Sequence, residues 1–309
     1  MRLLAKSKHN LRAYLMTNKV ALIGAGVMGQ AIGTRLLETN NVLTVFDRND
    51  YKVDKLCALG AVAATNPSQA AANADFVILS LNSSDAVETI VFGENGISDS
   101  AKPGTMIIDM SSIDPASTKR FATQASASGL RWLDCPLSGG APKALLGTLA
   151  VMVGGDAEDF EDSKVLMNHL CSNYTLMGPS GAGQTTKLIN QVLCALNFVA
   201  VAEATKLAQD AGVDATKIPE ALAGGRADSA ILQEYMGKMA NRDYTPTGRL
   251  DNMVKDLNGV QDLARATNTS MPLTAVCAEI HRMFMAAEIG DSDNAALMKF
   301  YDGPAKDSD

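Results

Sequence analysis

The chain has 309 residues, 47% of them hydrophobic and 20% charged, with a formal net charge of −7 at pH 7. This is the make-up of a soluble globular protein long enough for about two domains. The acid excess excludes a general binder of nucleic acid or anionic membrane, which needs clustered positive charge, and leaves small molecules as the expected partners. The cysteines, Cys57, Cys135, Cys171, Cys194 and Cys277, form no C-x-x-C pair, and the only histidines are His9, His169 and His281. Neither a zinc site nor a disulfide framework follows from that spacing, so reduced, mostly buried thiols in a cytoplasmic protein are expected. His281, in AEIHRMF, is expected on a helix surface.

Residues 1–18 are read as an extension, disordered or preceding a true start at Met16. Arg2, Lys6, Lys8 and Arg12 stand there without an acid, a pattern a transit peptide would share. From residue 19 to 180 strands and helices alternate. Val20 to Ile23 is apolar, Gly24-Ala25-Gly26-Val27-Met28-Gly29 follows, and AIGTRLLE continues with helical spacing. Strand, G-x-G-x-x-G and helix in that order make a dinucleotide-binding turn. The first glycine allows the bend, the second lets backbone approach a pyrophosphate, and the third lets helix pack on strand. A second strand, Val42 to Phe46, ends in Asp47, where an acid can bind the adenosine ribose hydroxyls and favours NAD over NADP. Arg48 beside it leaves room for NADP.

Ala61 to Ala63, Phe76 to Leu81 and Met106 to Met110 read as further strands, with helices at Pro67 to Asn73 and Ser84 to Val91. Strands apolar on both faces belong to a parallel sheet covered by helices, whose ligands lie beyond the strand carboxyl ends. Leu81-Asn82 and Ser111-Ser112 are therefore placed along the cofactor groove, although the serines suit helix capping equally. The strand at Trp132 opens into Ser138-Gly139-Gly140, whose backbone N–H groups and hydroxyl can hold a carboxylate or form a plain turn. Leu149 to Val153 and Tyr174 to Met177 complete the strands.

A long helix is expected over 184–211, opening an all-helical unit over 181–309. It is apolar on nearly every face from Leu188 to Ala202, so it must be buried on most sides, and Asn190, Gln191 and Asn197 interrupt it too often for a membrane span. Lys187, Asn190 and Gln191 fall at i, i+3 and i+4 and share one face near its start. Beyond Gly212, helices are expected from Asp214 and at Ser229 to Ala240, Leu250 to Thr267, Pro272 to Ala287 and Asn294 to Tyr301. The fold class is thus α/β, a doubly wound Rossmann-type sheet joined by a long helix to a helical domain. The surplus of apolar helix surface predicts a homodimer or homotetramer.

Four signatures in order, GAGVMG at Gly24, DCPLSGGAPKA at Asp134, GAGQTTKLINQ at Gly181 and VKDL at Val254, resemble the β-hydroxyacid dehydrogenase family over about Val20 to Tyr301. That family contains 3-hydroxyisobutyrate dehydrogenase and tartronate semialdehyde reductase, and the detail of VFGENGI and GTLAVMVGGD is closest to the second branch. The resemblance implies an NAD(P)-dependent oxidoreductase with Lys187 as acid/base catalyst, substrate contacts at Ser138, Gly139, Gly140, Asn190 and Gln191, and cofactor contacts at Val27, Met28, Asp47, Leu81 and Ser112. Lys255 is implied beside nicotinamide or substrate. Asn82, Gln191 and Gly248 depart from the commoner family pattern, and the last two leave substrate identity open. Desolvation, Lys255 and the helix dipole are expected to lower the Lys187 pKa from its ordinary ~10.4. Rival readings are a sugar-acid dehydrogenase of the threonate type, an imine reductase, against which Lys187 counts, and a non-catalytic nucleotide-binding scaffold.

Overall fold

The computed structural model describes residues 17–303. The expected extension over 1–18 falls outside them as far as Met16, while Asn18 is buried and donates to Asn41 Oδ1 at 2.9 Å. The chain divides into two compact units between Lys187 and Leu188.

The first unit is built on a sheet. Its elements are β1 (Lys19–Ile23), α1 (Val27–Glu38), β2 (Val42–Phe46), α2 (Asp50–Cys57), β3 (Val62–Ala63), α3 (Pro67–Ala71), β4 (Phe76–Leu79), α4 (Ser84–Phe92), β5 (Met106–Asp109), α5 (Pro115–Ala127), β6 (Arg131–Asp134), β7 (Leu137–Ser138), α6 (Gly140–Leu146), β8 (Leu149–Gly155), α7 (Ala157–Met167) and β9 (Cys171–Gly178). The order β3-β2-β1-β4-β5-β6 is parallel throughout, with the strand sequence reversing direction between β1 and β4. In such sheets ligands bind beyond the strand carboxyl ends at that reversal.

The strand sequences explain this arrangement. β1, β4 and β5 are buried on both faces. Val20 and Leu22 pack to one side with Ile32 and Leu36 of α1. Ala21 and Ile23 pack to the other with Val87, Phe121 and Trp132. Period-2 alternation thus feeds two cores, one under each helical layer. At the far side β6 and β7 lie end to end along one edge of β8, both antiparallel to it, while β9 runs parallel along the other edge. Cys135-Pro136 breaks the run between them, and Met152 N–H reaches the Pro136 carbonyl at 3.1 Å across the break.

The long helix α8 (Ala182–Asp210) crosses the division, followed in the second unit by α9 (Ile218–Leu222), α10 (Ala230–Ala240), α11 (Leu250–Thr267), α12 (Pro272–Ala286) and α13 (Met298–Asp302). Asp214 caps a 3-10 turn ahead of α9, and Ser229 caps α10 by accepting the Leu232 N–H. Ala195, Phe198, Val201 and Ala202 of α8 pack with Tyr235, Leu250, Met253 and Phe284 in one core.

Two expectations are corrected here. His281 is wholly buried, its Nδ1 bonded to the Cys277 carbonyl at 2.8 Å, because it shares the inner face of α12 with Cys277 and Phe284. Burial pushes its pKa down, so it sits there neutral. The long helix is not covered on most sides, since Ile189, Leu193 and Leu207 are 55, 66 and 70% exposed. It also holds an 18-residue window of mean hydropathy 1.5, long and apolar enough by composition to cross a bilayer, although 39% of that window is buried within the protein. Among the cysteines, Cys135, Cys171 and Cys277 are buried, Cys57 and Cys194 half-buried, and all are free thiols.

The tightest point of the fold is the turn after β1. A Cβ added at Gly29 would lie 1.9 Å from the Gly24 carbonyl oxygen. Gly29→Ala must therefore push α1 off β1. Urea unfolding should show a loss of about 1–3 kcal/mol, the usual cost of overpacking. Unchanged stability would contradict the close approach.

Candidate active site

The turn after β1 is shaped for a phosphate. Gly24 has φ +96°, and a Cβ there would stand 2.3 Å from the Ser80 carbonyl oxygen across the reversal. Gly26 caps α1 with no side-chain hydrogen bond and no acid in the first turn, so the helix N-terminus keeps its partial positive charge. A Cβ on Gly26 would meet nothing within 4 Å. No protein atom requires glycine there, and its absence of a side chain leaves the backbone at the helix start open to a ligand. Val27, 79% exposed, and half-buried Met28 follow on the same turn. These features fit a dinucleotide pyrophosphate.

Asp47 stands past β2 as expected but already serves the turn. Its Oδ2 accepts the Ala25 N–H at 2.8 Å and its Oδ1 the Asn49 N–H at 2.9 Å. Each carboxylate oxygen keeps a lone pair for a ribose hydroxyl. Leu81 and exposed Asn82 lie past β4, and the Leu81 N–H donates to buried Ser111 Oγ at 3.0 Å. Ser112 follows past β5 and is half-buried.

β7 delivers Ser138, and the next two residues take left-handed backbone, Gly139 at φ +123° and Gly140 at φ +67°. Only glycine adopts such angles without strain, and both residues are exposed, which leaves their backbone N–H groups accessible to a ligand. The Lys143 stem lies across Gly139, where a Cβ would be 2.6 Å from its Cδ.

Lys187, half-buried, sits one turn beyond Gln184 on α8. The first turn of this helix is tied to the sheet by Asp134. Its Oδ1 accepts the Gly181 N–H at 2.8 Å and its Oδ2 the Gln184 N–H at 2.9 Å. The positive end of the helix thus meets a buried carboxylate, which offsets the dipole expected to act on Lys187. Asn190 and Gln191 follow on α8, and Asn190 Nδ2 donates to Gln191 Oε1 at 2.8 Å. Gln191 Nε2 donates to Asp256 of α11 at 2.5 Å, so both ends of this carboxamide have partners in the protein. Lys255, next to Asp256, is exposed on α11.

The expected residues therefore gather, in the first unit, on the loops past β1, β2, β4, β5 and β7 and at the start of α8; Asn190, Gln191 and Lys255 belong to the second. Asp134, Gln184 and Asp256 are absent from the sequence-based set. All three lie within the four signatures, and their types, an acid or amide close to an implied contact, were the available signal.

The NAD-binding domain of 6-phosphogluconate dehydrogenase matches residues 19–178, and the NAD-binding domain of NADP-dependent 3-hydroxyisobutyrate dehydrogenase matches residues 181–301. A 2-hydroxy-3-oxopropionate reductase from Escherichia coli is 38% identical over 281 residues, 91% of this chain and 96% of that one. An NAD-dependent L-serine dehydrogenase from Pseudomonas aeruginosa is 34% identical, covering 92% and 98%. The solved structure of Mycobacterium tuberculosis 3-hydroxyisobutyrate dehydrogenase with L-serine superposes with a TM-score of 0.84 at 28% identity, over 93% of this chain and 100% of that one.

One buried acid in the same loops gives a pH signature. Asp109, wholly buried at the end of β5, accepts the Ser111 N–H through Oδ1 while Oδ2 has no hydrogen-bond partner. Burial pushes its pKa from 3.8 to about 7. Between those values the folded chain holds a proton that the unfolded chain has lost, so stability falls as pH rises through the window. At about 1.4 kcal/mol per pH unit the loss is on the order of 4 kcal/mol. Asp109→Asn should remove it. Thermal unfolding from pH 4 to 8 should show the wild-type Tm falling relative to the variant, and parallel curves would contradict the assignment.

Proposed function

Because the chain belongs to the 3-hydroxyisobutyrate dehydrogenase family of NAD(P)-dependent hydroxyacid oxidoreductases, we propose that its substrate is a short 3-hydroxy acid or its semialdehyde. Tartronate semialdehyde (2-hydroxy-3-oxopropionate) is the first choice. The observation that carries this reading is the glycine pair after Ser138, two left-handed residues beside a hydroxyl, built to hold a small carboxylate. The similarity to the Escherichia coli reductase supports the particular acid. L-serine is the second reading, since it is itself a 3-hydroxy acid and the Pseudomonas relative is named for it.

The residues divide the work as follows. Gly24, Gly26, Val27, Met28 and Gly29 hold the dinucleotide phosphates, Asp47 the adenosine ribose, and Leu81, Asn82, Ser112 and Lys255 the remainder of the cofactor. NAD is the expected choice because the Asp47 carboxylate repels a 2′-phosphate; the exposed Arg48 leaves NADP usable. When bound, the nicotinamide supplies or takes the hydride at C3 of the substrate. Ser138 and the N–H groups of Gly139 and Gly140 fix the substrate carboxylate, and with it the distance of the reacting carbon. Lys187, as ammonium, donates a proton to the carbonyl oxygen as it becomes an alcohol; in the opposite direction the neutral amine removes the hydroxyl proton. Asn190, oriented by its bond to Gln191, contacts the substrate without adding charge.

Domain limits near 19–180 and 181–309, a cytoplasmic location and a homodimer or homotetramer complete the proposal. The oligomer is supported by apolar surface on two helices, Ile189, Leu193 and Leu207 of α8 and Leu273 and Val276 of α12, the last two 72 and 60% exposed. Scattered exposed leucines are ordinary, but rows of them on helices usually have a partner. Light scattering at micromolar concentration should report a particle at least twice the mass of one chain, and a clean monomer would remove this part of the proposal.

Lys187→Ala is the direct test of mechanism. Turnover should fall by about 10²–10⁴-fold, the usual share of general acid–base catalysis, while NADH binding by fluorescence persists. Near-wild-type turnover would remove Lys187 from the chemistry. Absorbance at 340 nm with tartronate semialdehyde, L-serine, 3-hydroxyisobutyrate and threonate, each with NAD(H) and NADP(H), decides the substrate.

A further inference from the structure

The first turn of α8 is gripped from two directions. Asp134, wholly buried at the end of β6, takes the N–H groups of Gly181 and Gln184 on its two carboxylate oxygens. Gln184, 1% exposed, reaches the loop past β5 with its side chain, where Nε2 donates to the Ser111 carbonyl at 2.7 Å and Oε1 accepts the Ile113 N–H at 3.3 Å. The carboxylate is also walled in by missing side chains. A Cβ on Gly154 would lie 2.5 Å from Asp134 Oδ1, and one on Gly183 would lie 2.8 Å from Oδ2. Both glycines are needed for helix and strand to come this close.

This costs more than helix capping requires. A local Ser, Thr or Asn satisfies the same donors at the surface. Here an acid from 47 residues upstream is buried instead, and burial raises its pKa even though backbone N–H groups favour its charged form. What the arrangement achieves is a link between two particular elements. Asp134 stands four residues before Ser138 on the bent β6–β7 strand, and Gln184 stands three residues, one turn, before Lys187.

We propose that Asp134, assisted by Gln184, is the positioning residue for Lys187, fixing the height and rotation of the first turns of α8 against the strand that carries the substrate-carboxylate loop. Asp134 touches neither substrate nor cofactor and acts only through the lysine. The inference rests on the reading of Lys187 as acid/base catalyst. Asparagine in place of Asp134 turns an amide N–H toward a backbone N–H, breaking one of the two bonds at nearly constant volume.

The test is a double-mutant cycle on the full chain with Asp134→Asn and Lys187→Ala, recording kcat, substrate KM, NADH Kd and Tm. Asp134→Asn alone should lower kcat by about 10- to 100-fold, the range a displacement near 1 Å produces, with NADH Kd within about twofold of wild type. In the Lys187→Ala background the same substitution should lower kcat less than about twofold further, because the group it positions is gone. Gln184→Ala, taken through the same cycle, should show the same pattern and stands in if Asp134→Asn does not fold. Equal kcat losses in both backgrounds, a loss that merely tracks NADH Kd or Tm, or no loss at all would overturn the positioning role while leaving Lys187 catalytic. Wild-type turnover by Lys187→Ala alone would overturn both.

Discussion

A carboxylate that accepts two backbone N–H groups at the start of one helix is the constraint on which the rest of the first unit's site depends. Asp134 closes the end of β6 and opens α8 at the same time. Strand and helix are far apart in sequence, so nothing local fixes their relation, and a hydrogen-bonded ion in a dry setting does so with little tolerance for displacement. The glycines at 154 and 183 belong to the same device, since each leaves the space the carboxylate fills. With the helix start fixed, Lys187 falls in place one turn later by helical geometry alone.

The cofactor side of the molecule follows a different logic. There the backbone is left incomplete: an uncapped helix start at Gly26, an open side where a Cβ would meet nothing, and an acid, Asp47, that braces the turn while keeping acceptor capacity. The same unit thus engages donors at the start of α8 and leaves those of the glycine turn available. Where buried donors are satisfied the structure serves precision, and where they are exposed it serves binding.

Much of this was legible in the sequence because it rests on local pattern. Val42 to Phe46 and Leu250 to Thr267 coincide with their elements, the one by apolar β-branched residues, the other by helical spacing of Leu250, Met253, Leu257 and Val260. The glycine turn was readable because each glycine answers a separate steric demand. What was not readable depends on contacts distant in sequence. His281 looks like a surface residue, yet α12 points Cys277, His281 and Phe284 inward and leaves Leu273, Val276 and Met283 exposed, an assignment that only the packing of the second unit decides. Tyr174 to Met177 read as a whole strand, but the pairing with β8 begins at Cys171. Asp134 and Gln184 were visible as members of two signatures, while their bond to each other was not. Gln191 likewise needed Asp256 on a later helix to reveal that its carboxamide is already engaged.

In the proposed reaction the reacting carbon is C3, presented to Lys187 by a carboxylate held at Ser138. Tartronate semialdehyde and hydroxypyruvate are tautomers, so consumption of NADH alone does not locate the carbon. The decisive measurement is reduction of tartronate semialdehyde with NADH deuterated at C4 of the nicotinamide, followed by NMR of the glycerate formed. One deuterium at C3 is the predicted result; deuterium at C2 would mean that the 2-oxo acid is the substrate and would contradict the account.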